Sequence, residues 1–462
     1  MIGAALQRGE IAVIGLGRSG LAAARLLARD GARVYASDAG SGASVAQAAA
    51  ALRAEGIAVD GGRHDLARIA AAALVVASPG VPPGAPPLAV AREAGVPIVG
   101  EIEVALHALR GVPYVAITGT NGKSTVTALV AHLLSALGHR AVAAGNIGRA
   151  LCDVALQDER PDWIALELSS FQLHDAPGIA PTVGVLTNLS PDHLDRYASV
   201  EAYYADKAML YRNARSASRW IDNADDAAAL ALGRGRGGTH WAFSRGDPHA
   251  AAHCARSHDA GAPDALVLFA RPLVSREAVP LLGWHNVDNV LAALLAVMVA
   301  DPAHQTDDAR ATLADAVRSF RGLPHRLEVV PSADGVQWIN DSKATNVSSA
   351  RVAIEAMTRP TVVLLGGKHK GEPYTALIEP LKAHAKRVLA YGDAEPLIAA
   401  DLQGHVALER CGSSFEDVMH RARAAATPGD AVLLAPACSS FDIFINYEAR
   451  GEAFRALASQ GA

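Results

Sequence analysis

One stretch of this sequence constrains its fold and its chemistry more than any other. A strand-like apolar run at residues 114–117 leads into Thr-Gly-Thr-Asn-Gly-Lys-Ser-Thr at residues 118–125, and a helix-like segment follows at residues 126–137. A strand that enters a glycine-containing turn and opens a helix presents backbone N–H groups and the positive end of the helix dipole to an anion. In such a loop the lysine reaches the β- and γ-phosphates, and the next hydroxyl binds Mg²⁺. The predicted residues of a nucleoside triphosphate site are Gly119, Thr120, Asn121, Gly122, Lys123, Ser124 and Thr125.

The loop departs from the full G-x-x-x-x-G-K-[ST] pattern, because Ile117 occupies the position of the first glycine. The alternative interpretation is an ordinary strand–turn–helix joint with a surface lysine. Two glycines on either side of a Thr-Asn pair, followed at once by Lys-Ser-Thr, favour the phosphate-binding interpretation.

Composition excludes several classes of protein. A chain of 462 residues is expected to form two or three domains. Half of the residues are apolar and 19% are charged, so the chain can build full hydrophobic cores. The net charge of −5 argues against a general nucleic-acid binder, which needs clustered Lys and Arg.

The cysteines and the apolar segments bear on the compartment. The four cysteines are far apart and form no C-x-x-C pair, as is typical of a reducing environment. No signal sequence precedes the strand-like run at residues 11–14, and the longest apolar run, at residues 290–300, is too short to span a bilayer. We therefore expect a cytoplasmic protein without a membrane span, acting as a monomer on small molecules.

Strand and helix patterns alternate in three blocks, which predicts parallel sheets covered by helices. We expect domains at residues 1–110, 111–320 and 321–462. The predicted strands are residues 11–14, 33–37, 74–77, 98–99, 114–117, 163–167, 183–187, 336–339, 361–365, 388–391 and 431–434. Residues 233–263 are rich in Gly, Arg, His and Asp and are expected to form turns and short hairpins.

The first block contains a glycine motif at residues 15–20 that follows a strand and opens a helix. Asp38 ends the next strand, where a dinucleotide-binding fold places its ribose-binding acid. Alone, this pattern is as consistent with NAD as with another nucleotide. The phosphate loop of the second block favours a different diphosphate, with Asp38 facing a nucleoside. The Pro-rich turn at residues 78–84 lies at another strand end, where open α/β sheets bind ligands.

Two side chains in the second block follow strands next to the phosphate loop. Glu167 ends one apolar strand, where its carboxylate is placed to bind Mg²⁺ across from Ser124. His193 follows the next strand and is expected at the same sheet edge. The alternative interpretation of Glu167 is an exposed acid at the end of a strand. A single histidine such as His193 is by itself weak evidence for a functional site.

Three other features of this block have simple structural interpretations. Lys207 lies on a helix among aromatic residues and is by default a solvated surface lysine. Asn286 can cap the apolar helix that follows it, whereas Asn289 has no such duty and could face a base. A loose group of possible zinc ligands is more consistent with a solvated hairpin than with a metal site. Its members are His249, His253, Cys254 and His258.

In the third block, loops with hydroxyls, glycines and cations follow the strands. Arg326, Lys343 and Lys370 together predict a receptor for phosphate and carboxylates in an otherwise acidic protein.

Taken together, these motifs resemble those of the Mur ligases of peptidoglycan synthesis. The matching segments run in fixed order along the whole chain. They are residues 11–15, 77–80, 117–125, 145–148, 167–173, 192–197, 322–326, 341–346, 435–442 and 444–448. The resemblance implies an α/β protein of three domains. These are an N-terminal Rossmann-like domain for the UDP moiety, a central P-loop ATPase-type domain built on a parallel sheet, and a C-terminal Rossmann-like domain for the amino acid.

The resemblance also implies roles for individual residues. Catalytic roles fall to Lys123, Glu167, His193, Lys207, Arg326 and Lys343. Besides the phosphate loop, ATP is expected to contact Asn289, Arg326 and Asp341. The UDP-linked substrate is expected to contact Gly15, Leu16, Gly17, Arg18, Ser19, Asp38, Ser78, Pro79, Gly80, Asn146 and His193. D-glutamate is expected to contact Lys343, Thr345, Lys370, Ser440, Phe441 and Tyr447. Two Mg²⁺ ions are expected on Ser124, Glu167, His193 and a carbamate formed on Lys207.

The chain departs from the family pattern in two places. Ala39-Gly40 stands where related enzymes often carry polar groups for uracil, and Tyr447 stands where phenylalanine is frequent. The D-N-P-R signature of members that add a diamino acid is absent. Two carboxylates on the incoming amino acid suit the clustered cations and hydroxyls of the third block.

The mechanism that the resemblance implies has two steps. The alanine carboxylate of UDP-N-acetylmuramoyl-L-alanine attacks the γ-phosphorus of ATP, and the amine of D-glutamate then displaces phosphate from the acyl phosphate. Two other functions remain open from the residues alone. One is an NAD-dependent oxidoreductase built on the first glycine motif, and the other is a P-loop switch module without ligase chemistry.

Overall fold

The structure is a computed structural model that describes residues 2–192, 196–255, 264–332 and 335–460. The described chain forms two compact units, one of residues 1–279 and 288–320 and the other of residues 280–287 and 321–462. Three β-sheets divide the chain, two in the first unit and one in the second. The α/β fold of three sheet-centred regions predicted from the sequence is confirmed.

The first sheet has five parallel strands in the order β3-β2-β1-β4-β5. The reversal of strand order beside β1 brings the carboxyl ends of β2 and β4 to either side of a crevice. The strands are β1 (Glu10–Ile14), β2 (Arg33–Asp38), β3 (Ala58–Gly61), β4 (Leu74–Ala77) and β5 (Ile98–Gly100). The helices are α1 (Ile2–Arg8), α2 (Arg18–Arg29), α3 (Ala43–Ala54), α4 (Leu66–Ala70), α5 (Pro86–Glu93) and α6 (Glu101–Ala108).

The second sheet has nine strands in the order β14-β13-β12-β11-β10-β9-β6-β8-β7. The strands are β6 (Tyr114–Thr118), β7 (Ala141–Gly145), β8 (Trp163–Glu167), β9 (Val183–Leu186), β10 (Arg219–Asn223), β11 (Thr239–Ser244), β12 (Ala252–Ala255), β13 (Ala265–Leu268) and β14 (Arg271–Ser275). The helices are α7 (Lys123–Ala136), α8 (Leu151–Ala155), α9 (Ser170–His174), α10 (Val200–Ala208), α11 (Ala227–Gly233), α12 (Trp284–Ala300) and α13 (Asp307–Ser319).

Three details of this region differ from the sequence predictions. The sheet is not wholly parallel, because β13 runs antiparallel to β12 and β14 antiparallel to β13. Strands β11 and β12 lie within residues 233–263, where turns and short hairpins were expected, because these short strands stand in a segment rich in Gly, Arg, His and Asp. Asn286 is not a helix cap: α12 begins at Trp284, and the Asn286 side chain donates back to the carbonyl of Leu282 at 2.7 Å.

The third sheet has six strands in the order β15-β16-β20-β17-β18-β19, of which only β15 is antiparallel to its neighbour among the described strands. The strands are β15 (Glu328–Val330), β16 (Gln337–Asn340), β17 (Thr361–Gly366), β18 (Ala385–Tyr391), β19 (Leu408–Arg410) and β20 (Ala431–Leu434). The helices are α14 (Val347–Glu355), α15 (Ile378–His384), α16 (Glu395–Leu402), α17 (Phe415–Ala425) and α18 (Tyr447–Ser459).

Burial explains why the central strands of the second and third sheets could be predicted from the sequence. Every residue of β6, β8, β17 and β20 is buried, as expected of parallel strands covered by helices on both faces. Such strands are continuous apolar runs bounded by polar residues. Within the described ranges, no helix combines the length and apolarity needed to cross a lipid bilayer.

Candidate active site

The phosphate loop lies at the carboxyl end of β6 and opens α7, as predicted. Gly119 and Gly122 have φ values of +144° and +81°, which L side chains rarely adopt. A Cβ at Gly119 would meet the Thr187 hydroxyl, and one at Gly122 would meet the Asn289 side chain. Both glycines are therefore required by backbone angle and by space. The Asn289 side chain lies against the loop at Gly122, and its contact with ATP remains a prediction.

The segment after β9 holds the phosphate loop in place. The Thr120 N–H donates to the carbonyl of Asn188 at 2.9 Å, and the Asn121 N–H donates to the Asn188 side chain at 2.8 Å. The Thr187 hydroxyl donates to the carbonyl of Asn121 at 2.7 Å. The loop is thus preorganised by hydrogen bonds from the neighbouring strand end, which lowers the cost of ordering it around an anion.

Lys123 is the first residue of α7, and its ammonium folds back over the loop. Its Nζ donates to the carbonyls of Gly119 at 3.0 Å and Thr120 at 2.7 Å. The side chain of the next residue, Ser124, is buried at the helix N-terminus. A cation, a hydroxyl and a helix N-terminus therefore converge here, which is the arrangement that binds phosphate oxygens.

Glu167 ends β8, which pairs with β6 so that Glu167 lies opposite Ile117. The carboxylate is buried, and Oε1 accepts a hydrogen bond from the Asn146 side chain at 2.8 Å. Oε2 is buried with no hydrogen-bond partner among the described residues. A buried carboxylate oxygen left without a donor is costly, and a cation would satisfy it. The exposed strand-end acid considered from sequence is therefore wrong.

Lys207 is also buried, at 1% exposure, so its default interpretation as a solvated surface lysine is wrong. Its Nζ donates to the carbonyl of Gly119 at 2.6 Å and lies 4.7 Å from the centre of the Tyr203 ring. Burial lowers the pKa of this amine well below its usual value, and the nearby Lys123 ammonium lowers it further. Compared with a solvated lysine, this amine is therefore shifted toward its neutral form, although nearby carboxylates including Glu167 oppose the shift.

Two sequence predictions fall partly outside the described residues. His193, predicted as a catalytic and metal-binding residue, is one of the residues that the structure does not describe. The loose zinc group includes His258, which is also outside the described ranges, while His253 Nδ1 lies 3.2 Å from the carbonyl of Ala250. Within residues 2–192, 196–255, 264–332 and 335–460, no cluster of three or more His, Cys, Asp or Glu side chains could hold a metal ion.

In the first sheet, the predicted UDP-binding residues gather at the crevice beside β1. The Asp38 carboxylate accepts the backbone N–H groups of Leu16 and Gly40, each at 2.7 Å. The Ser78 hydroxyl donates to the carbonyl of Gly15 at 3.1 Å. Asp38 therefore fixes the glycine loop, and its role toward a nucleoside remains a prediction. From α2, Arg18 reaches the carbonyl of Gly148, which is part of the segment that carries Asn146.

In the second unit, the predicted amino-acid residues lie on loops after β16, β17 and β20, except for Tyr447, which is the first residue of α18. Lys343 Nζ lies 3.2 Å from the Tyr447 hydroxyl and 5.0 Å from the centre of its ring. Lys370 Nζ donates to the Thr345 hydroxyl at 3.3 Å. Ser440 is buried and Phe441 is exposed. The structure thus brings two cations and their hydroxyl neighbours to one edge of the third sheet.

Asp341 and Arg326, both predicted to contact ATP, belong to the same unit. Burial raises the pKa of the Asp341 carboxyl to about 7, and the nearby Arg326 guanidinium opposes that shift. The Asp341 N–H donates to the carbonyl of Leu434 at 2.9 Å, which joins the ends of β16 and β20.

Arg450 on α18 is a site residue that sequence reasoning missed. Its side chain is fully buried, and its guanidinium donates to the hydroxyl and the carbonyl of Ser342 at 3.0 and 2.9 Å. It also donates to the carbonyls of Gly366, Cys438 and Ser439 at 3.5, 3.1 and 3.3 Å. One arginine therefore links all three amino-acid loops. In sequence it looks like any helical arginine, and no local signal could have identified it.

Backbone strain marks the same region. Among the described non-glycine residues with positive φ, Ala437 at +58° lies in the loop after β20, and His325 at +62° and Leu327 at +42° lie just before β15. Non-glycine residues are rarely held in this conformation, and such positions concentrate at functional sites. The loops are therefore fixed in shape by surrounding contacts.

The sequence matches three family models that follow one another along the chain. They describe the N-terminal domain of Mur ligases of the MurD-like type over residues 9–100, the Mur ligase middle domain over residues 117–297, and the glutamate ligase domain of Mur ligases over residues 325–438.

Curated relatives resemble the chain over nearly its full length. The UDP-N-acetylmuramoylalanine–D-glutamate ligase of Acidobacterium capsulatum is 42% identical over 98% of this chain and 97% of its own. The enzyme of the same name from Anaeromyxobacter dehalogenans is 41% identical over 98% of each chain. Among solved structures, the UDP-N-acetylmuramate–alanine ligase of Thermotoga maritima has a TM-score of 0.60 over 96% of this chain and 98% of its own. At 20% identity, that likeness supports the fold alone.

Proposed function

Because the chain belongs to the Mur ligase family, we propose that it joins D-glutamate to UDP-N-acetylmuramoyl-L-alanine with ATP as co-substrate, in peptidoglycan precursor synthesis. The chain is an ATP-dependent ligase. The observation that carries the proposal is the convergence of Lys123, Glu167 and Lys207 on one phosphate loop, in a chain whose relatives bear that activity over their whole length.

We assign one substrate to each of the three regions. Residues 1–110 would bind the UDP moiety in the crevice beside β1, and residues 111–320 would bind ATP on the phosphate loop. Residues 321–462 would receive D-glutamate. Because all three substrates are water-soluble small molecules, we propose a cytoplasmic monomer that requires no macromolecular partner.

The residues around the phosphate loop suit Mg²⁺. Glu167 offers a buried carboxylate oxygen without a donor, and Ser124 places a hydroxyl at the helix N-terminus. A carbamate on Lys207 would add further oxygen ligands, and we propose His193 as a ligand of a second ion. Bound Mg²⁺ would neutralise charge on the triphosphate and so reduce the repulsion that an attacking carboxylate meets.

The chain's own residues then position and neutralise the reacting groups. Lys123 would leave its backbone carbonyl partners for the γ-phosphate oxygens, where charge redistributes as the alanine carboxylate attacks phosphorus. This step yields an acyl phosphate and ADP. The D-glutamate amine attacks the acyl carbon, the carbon–oxygen bond to phosphate breaks, and the amine loses a proton. The acyl phosphate requires protection from water until the amine arrives.

The direct test is phosphate release from ATP with UDP-N-acetylmuramoyl-L-alanine, with each candidate amino acid supplied in turn. We expect release to depend on D-glutamate and to be accompanied by the amide product. Phosphate release that is independent of any amino acid would indicate a P-loop module without ligase chemistry. A change in NAD(P)H absorbance without a need for ATP would indicate an oxidoreductase.

We expect Lys370→Ala to raise the KM for D-glutamate by roughly one to two orders of magnitude, because a charge-assisted contact to a carboxylate contributes about 1.5–3 kcal/mol. The KM for ATP should change much less, since we assign Lys370 to the amino acid and not to the triphosphate. Both constants are obtained from initial rates of phosphate release.

The matched control for this variant is Lys382→Ala, which removes a partly exposed lysine of the same unit whose partner is the surface residue Glu379. We expect wild-type constants from the control. If Lys370→Ala raised the KM values for ATP and D-glutamate equally, or raised neither, the assignment of the amino-acid pocket to the loop after β17 would be wrong.

A further inference from the structure

The hydroxyl of Tyr374 lies between two loops that carry proposed D-glutamate ligands. Tyr374 follows the loop after β17, and its side chain is 1% exposed. Its oxygen lies 2.9 Å from His369 Nδ1, in the same loop, and 3.0 Å from Cys438 Sγ, in the loop after β20. A buried phenol needs polar partners, and this one obtains them from both loops.

The chemistry of these three groups sets the direction of the hydrogen bonds. The single hydroxyl proton can serve only one neighbour, and an imidazole nitrogen is a better acceptor than a thiol sulfur. We therefore assign the Tyr374 hydroxyl as the donor to His369 Nδ1 and the Cys438 thiol as the donor to the phenol oxygen. In neutral His369 this arrangement leaves Nε2 as the N–H donor. The ring is half-buried, so part of it faces open space.

His369 lies between two residues that are already tied to their surroundings. On one side, the backbone N–H of Lys368 donates to the carbonyl of Ser439 at 2.8 Å, and the Ser439 N–H donates back at 3.1 Å. On the other side, Lys370 reaches Thr345. The bond to Tyr374 therefore fixes the ring between a backbone anchor and a proposed ligand of the amino acid.

We infer that the Cys438–Tyr374–His369 chain positions the loop after β17, and that His369 is a further residue selecting a dicarboxylic amino acid through its Nε2–H. The inference rests on the proposed function, since it adds a donor to the pocket proposed for D-glutamate. The two carboxylates of a dicarboxylic amino acid only accept hydrogen bonds when they are ionised, so each further donor at the pocket can help to bind them. A neutral N–H beside Lys370 contributes one without adding charge to the desolvated pocket.

The test is steady-state kinetics of the full chain with His369→Ala, Tyr374→Phe and the double variant, with D-glutamate or ATP varied in turn while the other two substrates are saturating. We expect His369→Ala to raise the KM for D-glutamate roughly fivefold to tenfold, as the loss of one hydrogen bond predicts, with the KM for ATP within about twofold of wild type. Tyr374→Phe should raise the same KM. The double variant should match His369→Ala, because the tyrosine acts through the histidine.

His420→Ala, which removes an exposed histidine on α17, serves as the matched control. It should keep the wild-type KM for D-glutamate. If Tyr374→Phe does not fold, His369→Ala alone decides.

An unchanged KM for D-glutamate in His369→Ala would overturn the inference, and so would equal rises in both KM values. Fully additive effects in the double variant would overturn the positioning role of Tyr374. Failure of the proposed function would be visible earlier, as wild-type protein that releases no phosphate in response to D-glutamate.

Discussion

Replacing Lys123 with alanine is expected to abolish ligation almost completely while leaving the fold intact. Its ammonium donates to two carbonyls of the phosphate loop, and that loop is also held by hydrogen bonds from the segment after β9. Catalysis of phosphoryl transfer consists mainly of positioning and charge neutralisation, so the cation at the γ-phosphate is where the largest loss should occur. We expect kcat to fall by at least about 10³-fold, at the upper end for a single oriented donor.

The measurement is ligation rate with all three substrates saturating, together with thermal unfolding of the variant. Lys123→Arg is the informative companion, because it keeps the charge but changes the geometry, and we expect it to recover little activity. Lys382→Ala again controls for loss of a lysine elsewhere. A folded Lys123→Ala protein with near-normal turnover would contradict the assignment of the phosphate loop.

The sequence could predict those parts of the fold that have a clear local pattern of apolar and polar residues. Strand β8 begins and ends at the predicted residues 163 and 167, because its buried apolar run is bounded by polar residues on both sides. The short strands β7, β15 and β19 were not predicted, since three to five residues of mixed character carry no readable period. Their partners in the sheets, which are distant in sequence, determine them.

The site divides in the same way. The phosphate loop is local, so glycine spacing and flanking elements predicted it. The burial of Lys207 is not local: its amine meets the carbonyl of Gly119, 88 positions away in the chain. Arg450 reaches Ser342 across 108 positions. A helical sequence pattern gives no information about such contacts. Only the folded structure shows which lysine or arginine side chains are buried.

The burial of Lys207 leads to a second prediction, which concerns the chemical state of this side chain. We expect this amine to be carried as a carbamate, because a neutral amine is the form that captures CO₂, and burial with the nearby Lys123 ammonium favours the neutral form here. Carbamate formation joins the amine nitrogen to the carbon of CO₂ and releases one proton. The product is an anion with two oxygens, which suits a site that also holds Glu167 and Mg²⁺.

Lys207→Ala is therefore expected to lose nearly all ligation activity. This loss should be larger than the effect that removing a buried side chain has through packing alone. Enzyme incubated with ¹³C-bicarbonate should show a carbamate carbon resonance in the wild type that is absent from Lys207→Ala. Lys123→Ala tests the influence of the Lys123 ammonium on Lys207. It should weaken the carbamate signal, since the Lys123 charge lowers the pKa of the Lys207 amine. A bare ammonium on Lys207 in a high-resolution structure of the Mg²⁺–nucleotide complex would contradict the carbamate. A Lys207→Ala enzyme with normal activity would contradict any catalytic role for this residue.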